Sequence, residues 1–238
     1  MHISSASFDR SAPDLASCPD ESLPEFAFIG RSNVGKSSLL NLLSGKTGLA
    51  RVSTTPGFTK LINIFTMNKR WRLVDLPGYG YAHVARQDKS QFNQAVAEYL
   101  QQRENLACVF ALLDSGLPPQ KIDLDFVEWL VSNSVPFVLV FTKTDTVSPA
   151  KVRNNIEAFT DHLSAWCEEL PEIFTCSAKA RRGRQELLGV IEEALTADQA
   201  GGLADPEPIF PDAVTPPREV VDATRGARGK RPNPARPW

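Results

Sequence analysis

The chain has no apolar run approaching the roughly 20 residues that a membrane-spanning helix needs. Its first segment, Met1 to Glu21, is polar and offers no apolar core for a secretion signal. A myristoylation start is missing, and Ala235-Arg236-Pro237-Trp238 is no prenylation signal. These absences argue against a trafficking role at a membrane and for a cytoplasmic chain. Charge of one sign is also missing overall, since the net charge is −2, so placement of charge matters more than its sum. Cysteine is sparse: Cys18, Cys108, Cys167 and Cys176 form no CxxC pair, and two of them sit in apolar strand-like runs. That excludes a recognisable zinc site and reads as reduced structural thiols. No internal repeat is present. The hydrophobic share of 42% and the charged share of 23% are ordinary for a soluble globular protein, so a core is within reach. A length of 238 residues suits one moderately sized domain with some chain left over.

What the chain does have is Gly30-Arg31-Ser32-Asn33-Val34-Gly35-Lys36-Ser37-Ser38, a GxxxxGKS phosphate-binding loop. It follows the apolar strand-like run Phe26-Ala27-Phe28-Ile29 and precedes the helix-like Leu39-Leu40-Asn41-Leu42-Leu43. Its glycines let successive backbone N–H groups turn toward phosphate oxygens. The helix that follows adds the positive end of its dipole. Lys36 is placed to reach the β- and γ-phosphates, and the Ser37 hydroxyl to ligate Mg²⁺.

Apolar runs alternate with helical patterns along the chain. Strands are expected over 25–30, 60–67, 70–75, 106–114, 135–141 and 172–176, and helices over 36–44, 88–103, 119–132, 149–168 and 184–196. Near-continuous apolar strands such as 135–141 imply a mostly parallel sheet covered on both faces. Asn68-Lys69 is too short for a parallel crossover, so 60–67 and 70–75 should form an antiparallel hairpin. The expected architecture is α/β: a Ras-like P-loop fold with a mixed six-stranded sheet and five helices. Residues 1–23 read as a flexible arm and 24–199 as the nucleotide-binding domain. Residues 200–238, rich in Pro and Gly and basic at the end, read as a disordered tail.

Three further signals follow strands. Asp75-Leu76-Pro77-Gly78 gives a carboxylate that can hold the Mg²⁺ shell and a glycine that can approach the γ-phosphate closely. In Thr142-Lys143-Thr144-Asp145, the Asp145 carboxylate can accept from both N1–H and the 2-amino group of guanine, donors that adenine lacks. Lys143 would lie over the base and brace the phosphate loop. Cys176-Ser177-Ala178-Lys179 would cap the base edge at O6. Between the loop and the hairpin, Arg51-Val52-Ser53-Thr54-Thr55-Pro56-Gly57-Phe58-Thr59 is a candidate first switch, in which Thr59 is favoured as the second Mg²⁺ hydroxyl. Each motif alone could be a strand-end turn; their order along the chain argues for one guanine-nucleotide site.

GRSNVGKSS, STTPGFTKLINIF, RLVDLPGYGYA, VLVFTKTD and TCSA together resemble the EngB (YihA/YsxC) family of bacterial GTPases, of the translation-factor-related class. The resemblance covers about residues 23–196. It implies a Ras-like fold, Mg²⁺-dependent GTP binding and hydrolysis to GDP, and a role in assembly of the large ribosomal subunit with a link to septation. By matching position, Gly30 to Ser37 would hold phosphates, and Ser37 and Thr59 the metal. Gly57, Phe58, Thr59, Lys60 and Leu61 would form the first switch, and Asp75 to Gly78 would sense the γ-phosphate. Thr142 to Asp145 and Thr175, Cys176 and Ser177 would hold the base. Phe58 departs from the family, which usually has a basic or polar residue there. The implied partners are GTP or GDP and the large ribosomal subunit or its precursor, with rRNA contacted and no membrane, and nothing demands more than a monomer.

Where Ras-like enzymes often carry a glutamine after DxxG, this chain has Tyr79, which predicts slow intrinsic hydrolysis. Lys36, Asn33 and Gly78 are the candidate catalytic residues. Asn33 is placed to ligate an activating K⁺; alternatively the ribosomal partner completes the site. Gly78-Tyr79-Gly80-Tyr81-Ala82 reads as a mobile second switch, with Arg86 and Lys89 as candidate RNA contacts. Thr224 to Arg231 has the arginine–glycine character of RNA-binding segments. The competing functional readings are a nucleotide-gated RNA or protein binding module with negligible hydrolysis, and, more distantly, a P-loop ATPase.

Overall fold

The computed structural model describes residues 1–50, 61–79 and 86–200; side chains are described outside 86–93 and 198–200. Thirteen elements follow one another: β1 (Ala6–Ala12), a short 3-10 turn (Leu15–Ser17), β2 (Glu25–Gly30), α1 (Lys36–Ser44), β3 (Ile62–Met67), β4 (Trp71–Asp75), α2 (Arg86–Gln102), β5 (Leu106–Asp114), α3 (Lys121–Ser132), β6 (Phe137–Thr142), α4 (Pro149–Ser164), β7 (Ile173–Thr175) and α5 (Arg184–Ala200).

The strands form one sheet in the order β1-β3-β4-β2-β5-β6-β7. β4, β2, β5, β6 and β7 run parallel, while β3 is antiparallel to both of its neighbours. Successive residues of a strand point to opposite faces, and the sequence fills both. Ala27, Ile29, Val109, Ala111 and Leu113 face a core closed by Phe126 and Leu130 of α3 and Phe159 and Leu163 of α4. Phe26, Phe28, Phe110 and Leu112 face the opposite core, closed by Leu39, Leu40 and Leu43 of α1 and Leu187, Leu188 and Ile191 of α5. The unbroken apolarity of β2, β5 and β6 is the consequence of this double coverage.

Among the described residues the sheet has seven strands where six are expected. Residues 6–12, expected as part of a flexible arm, form β1, which pairs antiparallel with β3 from Ala6 opposite Met67 to Ala12 opposite Ile62. Ala6 and Ala12 are buried and the five residues between them are exposed, so backbone pairing with β3 rather than side-chain burial makes this strand. The Asn68 carboxamide oxygen accepts from the Ser4 and Ser5 amides at 2.8 and 3.1 Å and fixes the register at the hairpin tip. β1 thereby covers what would be an open edge of the hairpin.

The rest of the arm is tied down by charge. Glu25 is fully buried and accepts from Tyr99 Oη at 2.6 Å, from Arg103 Nε and Nη2 at 2.9 and 2.7 Å, and from Arg72 Nη1 at 3.3 Å. The same arginines donate to the arm: Arg103 to the Pro19 carbonyl at 2.8 Å, and Arg72 to the Asp20 carbonyl and, at 3.1 Å, its carboxylate. Burial, and then the Glu25 carboxylate, push the Tyr99 phenol well above its usual pKa. Residues 201–238, with the expected tail, lie outside the described residues.

Candidate nucleotide-binding site

Because five strands run parallel, their C-terminal ends open at one edge of the sheet, the place where open α/β sheets bind ligands. Four of the sequence motifs start there: Gly30 ends β2, Asp75 ends β4, Thr142 ends β6 and Thr175 ends β7. β3 runs the other way, so its first residues arrive at the same edge, with Asn63 opposite Asp75. Leu61, just before it, is exposed. Gly57, Phe58, Thr59 and Lys60 lie outside the described residues, as do 80–85 of the second switch.

The phosphate loop is built for an anion. Asn33 and Gly35 take left-handed φ values of 62° and 103°, which curl the backbone. Among the described residues, the amides of Asn33, Gly35, Lys36 and Ser37 donate to no carbonyl or side chain. Among the same residues, the Ser32 hydroxyl is buried without a partner and the Ser37 hydroxyl makes no bond. Unpaired amides on a backbone curled by two left-handed residues, with the buried Ser32 hydroxyl among them, fit a phosphate group. The Asp75 carboxylate reaches the loop that carries the Ser37 hydroxyl, through Lys36, and oxygen donors of this kind suit a hard cation. Lys36 Nζ and the Asp75 carboxylate form an ion pair, both nearly buried.

Gly78 approaches this loop so closely that a Cβ would stand 2.6 Å from the Gly30 carbonyl oxygen, a clash no side chain could avoid. Val34, Leu76 and Cys176 turn their side chains into the core, and Pro77 is buried, so the contribution available from Val34, Leu76 and Cys176 is their backbone.

On the base side, the Thr142 hydroxyl donates into the phosphate loop, at 2.6 Å from the Val34 carbonyl. The Lys143 stem passes Gly35 at 3.9 Å from where a Cβ would stand, and its ammonium donates to Asp114 at 2.8 Å. Bracing of the loop therefore falls to Thr142 as well as Lys143. Asp145 accepts from the Ser177 hydroxyl at 2.5 Å, which holds its carboxyl below the usual carboxylate range. Thr144 donates its amide and hydroxyl to the Cys176 carbonyl, both at 3.2 Å, locking the two base-side loops together. A cavity of about 210 Å³ opens between Gly35, Ser38, Lys143, Asp145, Ala178 and Lys179. Burial pushes the Cys176 thiol up to about 12, so it stays protonated and inert.

Asp123 was not among the expected site residues. It sits on α3, where Phe126, Val127 and Leu130 share its buried face, and a single acid in that stripe is the signal that could have singled it out. It accepts from Arg31 Nε at 3.0 Å and from the Tyr79 hydroxyl at 3.0 Å. Tyr79 is buried with its ring 4.5 Å from that of Phe126. The side chain of Arg31 thus serves Asp123, and Tyr79, expected in a mobile segment, is a core residue. Burial raises the Asp123 pKa, against the pull of Arg31.

A family model described as a 50S ribosome-binding GTPase matches residues 25–143. The chain is 48% identical over 192 residues to a probable GTP-binding protein EngB of Bacteroides fragilis, covering 81% of this chain and 96% of the relative. It is 49% identical over 192 residues to the counterpart in Bacteroides thetaiotaomicron, covering 81% and 95%. The crystal structure of a probable GTP-binding protein EngB superposes with a TM-score of 0.54 at 22% identity, covering 72% of this chain and 98% of that one, and shares the Ras-like fold. Among the described residues, no helix is long and apolar enough to cross a membrane. The convergent motif loops and these matches agree that the chain is a GTPase and belongs to the EngB family of GTP-binding proteins.

Proposed function

We propose that this GTPase acts as a nucleotide-gated switch in assembly of the large ribosomal subunit, and through it supports normal division and septation. The observation that carries the reading is the row of unpaired phosphate-loop amides at the same edge of the sheet as the other three motif loops. The description of the matching family as 50S ribosome-binding supports the partner.

In this reading the loop of Gly30, Arg31, Ser32, Asn33, Val34, Gly35, Lys36 and Ser37 cradles the phosphates, with the unpaired amides of Asn33, Gly35, Lys36 and Ser37 as its donors. Ser37 and Thr59, with Asp75 in the outer shell, would hold Mg²⁺, which would supply neutralisation of the phosphate charge. Lys36 would exchange its partner Asp75 for phosphate oxygens, leaving that carboxylate available to the metal's shell. The Gly78 amide, already against the phosphate loop, reports the γ-phosphate to the second switch. Asp145 reads the guanine edge, held ionised and oriented by Ser177, while Lys143 and Thr142 keep the base and phosphate halves in register.

Asn33 is exposed, with its side chain free among the described residues, and in this reading it holds an activating K⁺. A second reading, a binding module with negligible intrinsic hydrolysis, is favoured by one observation. Tyr79 points away to Asp123, so the residue after DxxG cannot orient an attacking water.

Single-turnover GTP hydrolysis in KCl and in NaCl, with and without large ribosomal subunits, tests both. The switch reading expects acceleration by subunits, K⁺ or both, of up to ~10³–10⁵-fold. A slow rate unchanged by either would select the binding module.

A further inference from the structure

Behind the base-side loops lies a second concavity, an open groove of about 700 Å³ between the first half of α4, the end of β7 and the start of α5. Arg153, Arg181, Arg182 and Arg184 line it against one carboxylate, Glu186. In a chain whose net charge is −2, that is a marked local excess of positive charge. Arg184 has a structural duty, donating to the Leu42 and Leu43 carbonyls at 2.8 and 2.9 Å and so capping α1. The other three are exposed and, among the described residues, in no ion pair and no side-chain hydrogen bond.

Their placement is not that of loose surface charges. Ser177 and Arg182 exchange two backbone hydrogen bonds at 3.1 and 3.0 Å, closing residues 177–182 into a tight hairpin. Arg181 stands in the left-handed region at φ 54°, uncommon for a residue with a long side chain. Arg153 faces this hairpin across the groove from α4, whose start is fixed by its Ser148 cap and Pro149.

We propose that this groove docks the sugar–phosphate backbone of RNA. The proposal rests on the ribosomal reading above and adds to it the surface and the chemistry of contact. Guanidinium groups with planar donor forks match phosphate oxygens. A protein partner is disfavoured by what the groove lacks. Pro149, Val152 and Ile156 floor it, but none of the exposed large hydrophobic side chains or aromatic rings among the described residues lines it, so it offers no aromatic anchor of the kind that dominates protein interfaces. β7, at the sheet edge, spans only three residues, too few to accept an added strand.

The test pairs Arg153→Glu/Arg181→Glu with the wild type on two probes: purified large ribosomal subunits, and a fluorescent RNA duplex of about 16 base pairs and arbitrary sequence. Binding of fluorescent GDP, matched to wild type, certifies the fold, and Arg153→Lys/Arg181→Lys serves as the charge-conserving control. The groove assignment expects duplex affinity to fall at least about tenfold in the Glu variant. It expects the slope of log affinity against log salt to flatten by about 1.4–1.8, at ~0.7–0.9 per lost phosphate contact. The Lys variant should keep the slope. Wild type that binds the duplex but no subunit would break the ribosomal reading and leave the groove standing. Subunit binding lost in the Glu variant with duplex binding untouched would assign the groove to an acidic protein segment and overturn the RNA assignment. Equal binding of both probes by wild type and Glu variant, or no duplex binding by wild type, would overturn it as well.

Discussion

The two ends of the parallel strands treat buried charge in opposite ways. At their N-terminal ends, Glu25, Arg72, Arg103 and Tyr99 form a closed network in which the one carboxylate accepts from all three partners. The arm between Pro19 and Glu21 seals it. At the C-terminal ends, charges pair two by two, Lys36 with Asp75, Lys143 with Asp114 and Arg31 with Asp123, beside amides with no partner among the described residues. A closed network fixes structure, because removing one member strands the others in a place water cannot reach. Separate pairs beside unmet donors can be exchanged for a ligand's charges, which is what a phosphate site requires.

The comparison breaks if a change at either end is felt at the other. The largest expected effect is at the closed end. Glu25→Ala should lower unfolding free energy by about 3–5 kcal/mol, the usual cost of stranding a buried partner, in urea titration. Fluorescent GDP affinity of the folded fraction should stay at the wild-type value. Lys36→Ala, at the open end, should do the reverse. Hydrolysis should fall on the order of 10²–10³-fold in single turnover, as when a preorganised charge-stabilising donor is lost, with a smaller change in stability.

Asp145→Asn comes next. Losing hydrogen bonds to a charged acceptor, at about 1.5–3 kcal/mol, should weaken GTP by about 10–10²-fold and favour xanthosine triphosphate, whose 2-oxo group then faces an amide donor. Untouched GTP affinity would remove Asp145 from the base site.

The smallest effect is in pH. The Ser177 hydroxyl is the leading cause of the lowered Asp145 pKa. The guanine-reading carboxylate therefore stays ionised as pH falls through the ordinary carboxylate range, and affinity is lost only below it. Ser177→Ala should move that acid limb of GDP affinity to higher pH. Coincident limbs for variant and wild type would show that Ser177 does not tune the reader.

Much of the open end was legible in the sequence because its residues are written next to strands. GRSNVGKSS, DLPG, TKTD and TCSA each follow an apolar run, and parallel strands carry all four to one edge. The closed end was not legible, because Glu25, Arg72 and Arg103 are far apart in sequence and read singly as surface charges. β1 escaped for a related reason: its strand character comes from pairing with β3, while five of its seven residues are exposed and show no alternation. Asp123 and Tyr79 meet only through tertiary packing, so the pattern that put Tyr79 in a mobile switch could not see its hydroxyl satisfied from α3.

Co-sedimentation of the full chain with large ribosomal subunits, in GDP and in a non-hydrolysable GTP analogue, with Lys36→Ala in parallel, tests the central claim most directly. A nucleotide-gated ribosomal switch predicts that wild type pellets with subunits in the analogue and not in GDP, and that the variant loses the difference. Binding that ignores the nucleotide, or no binding in either state, would contradict it.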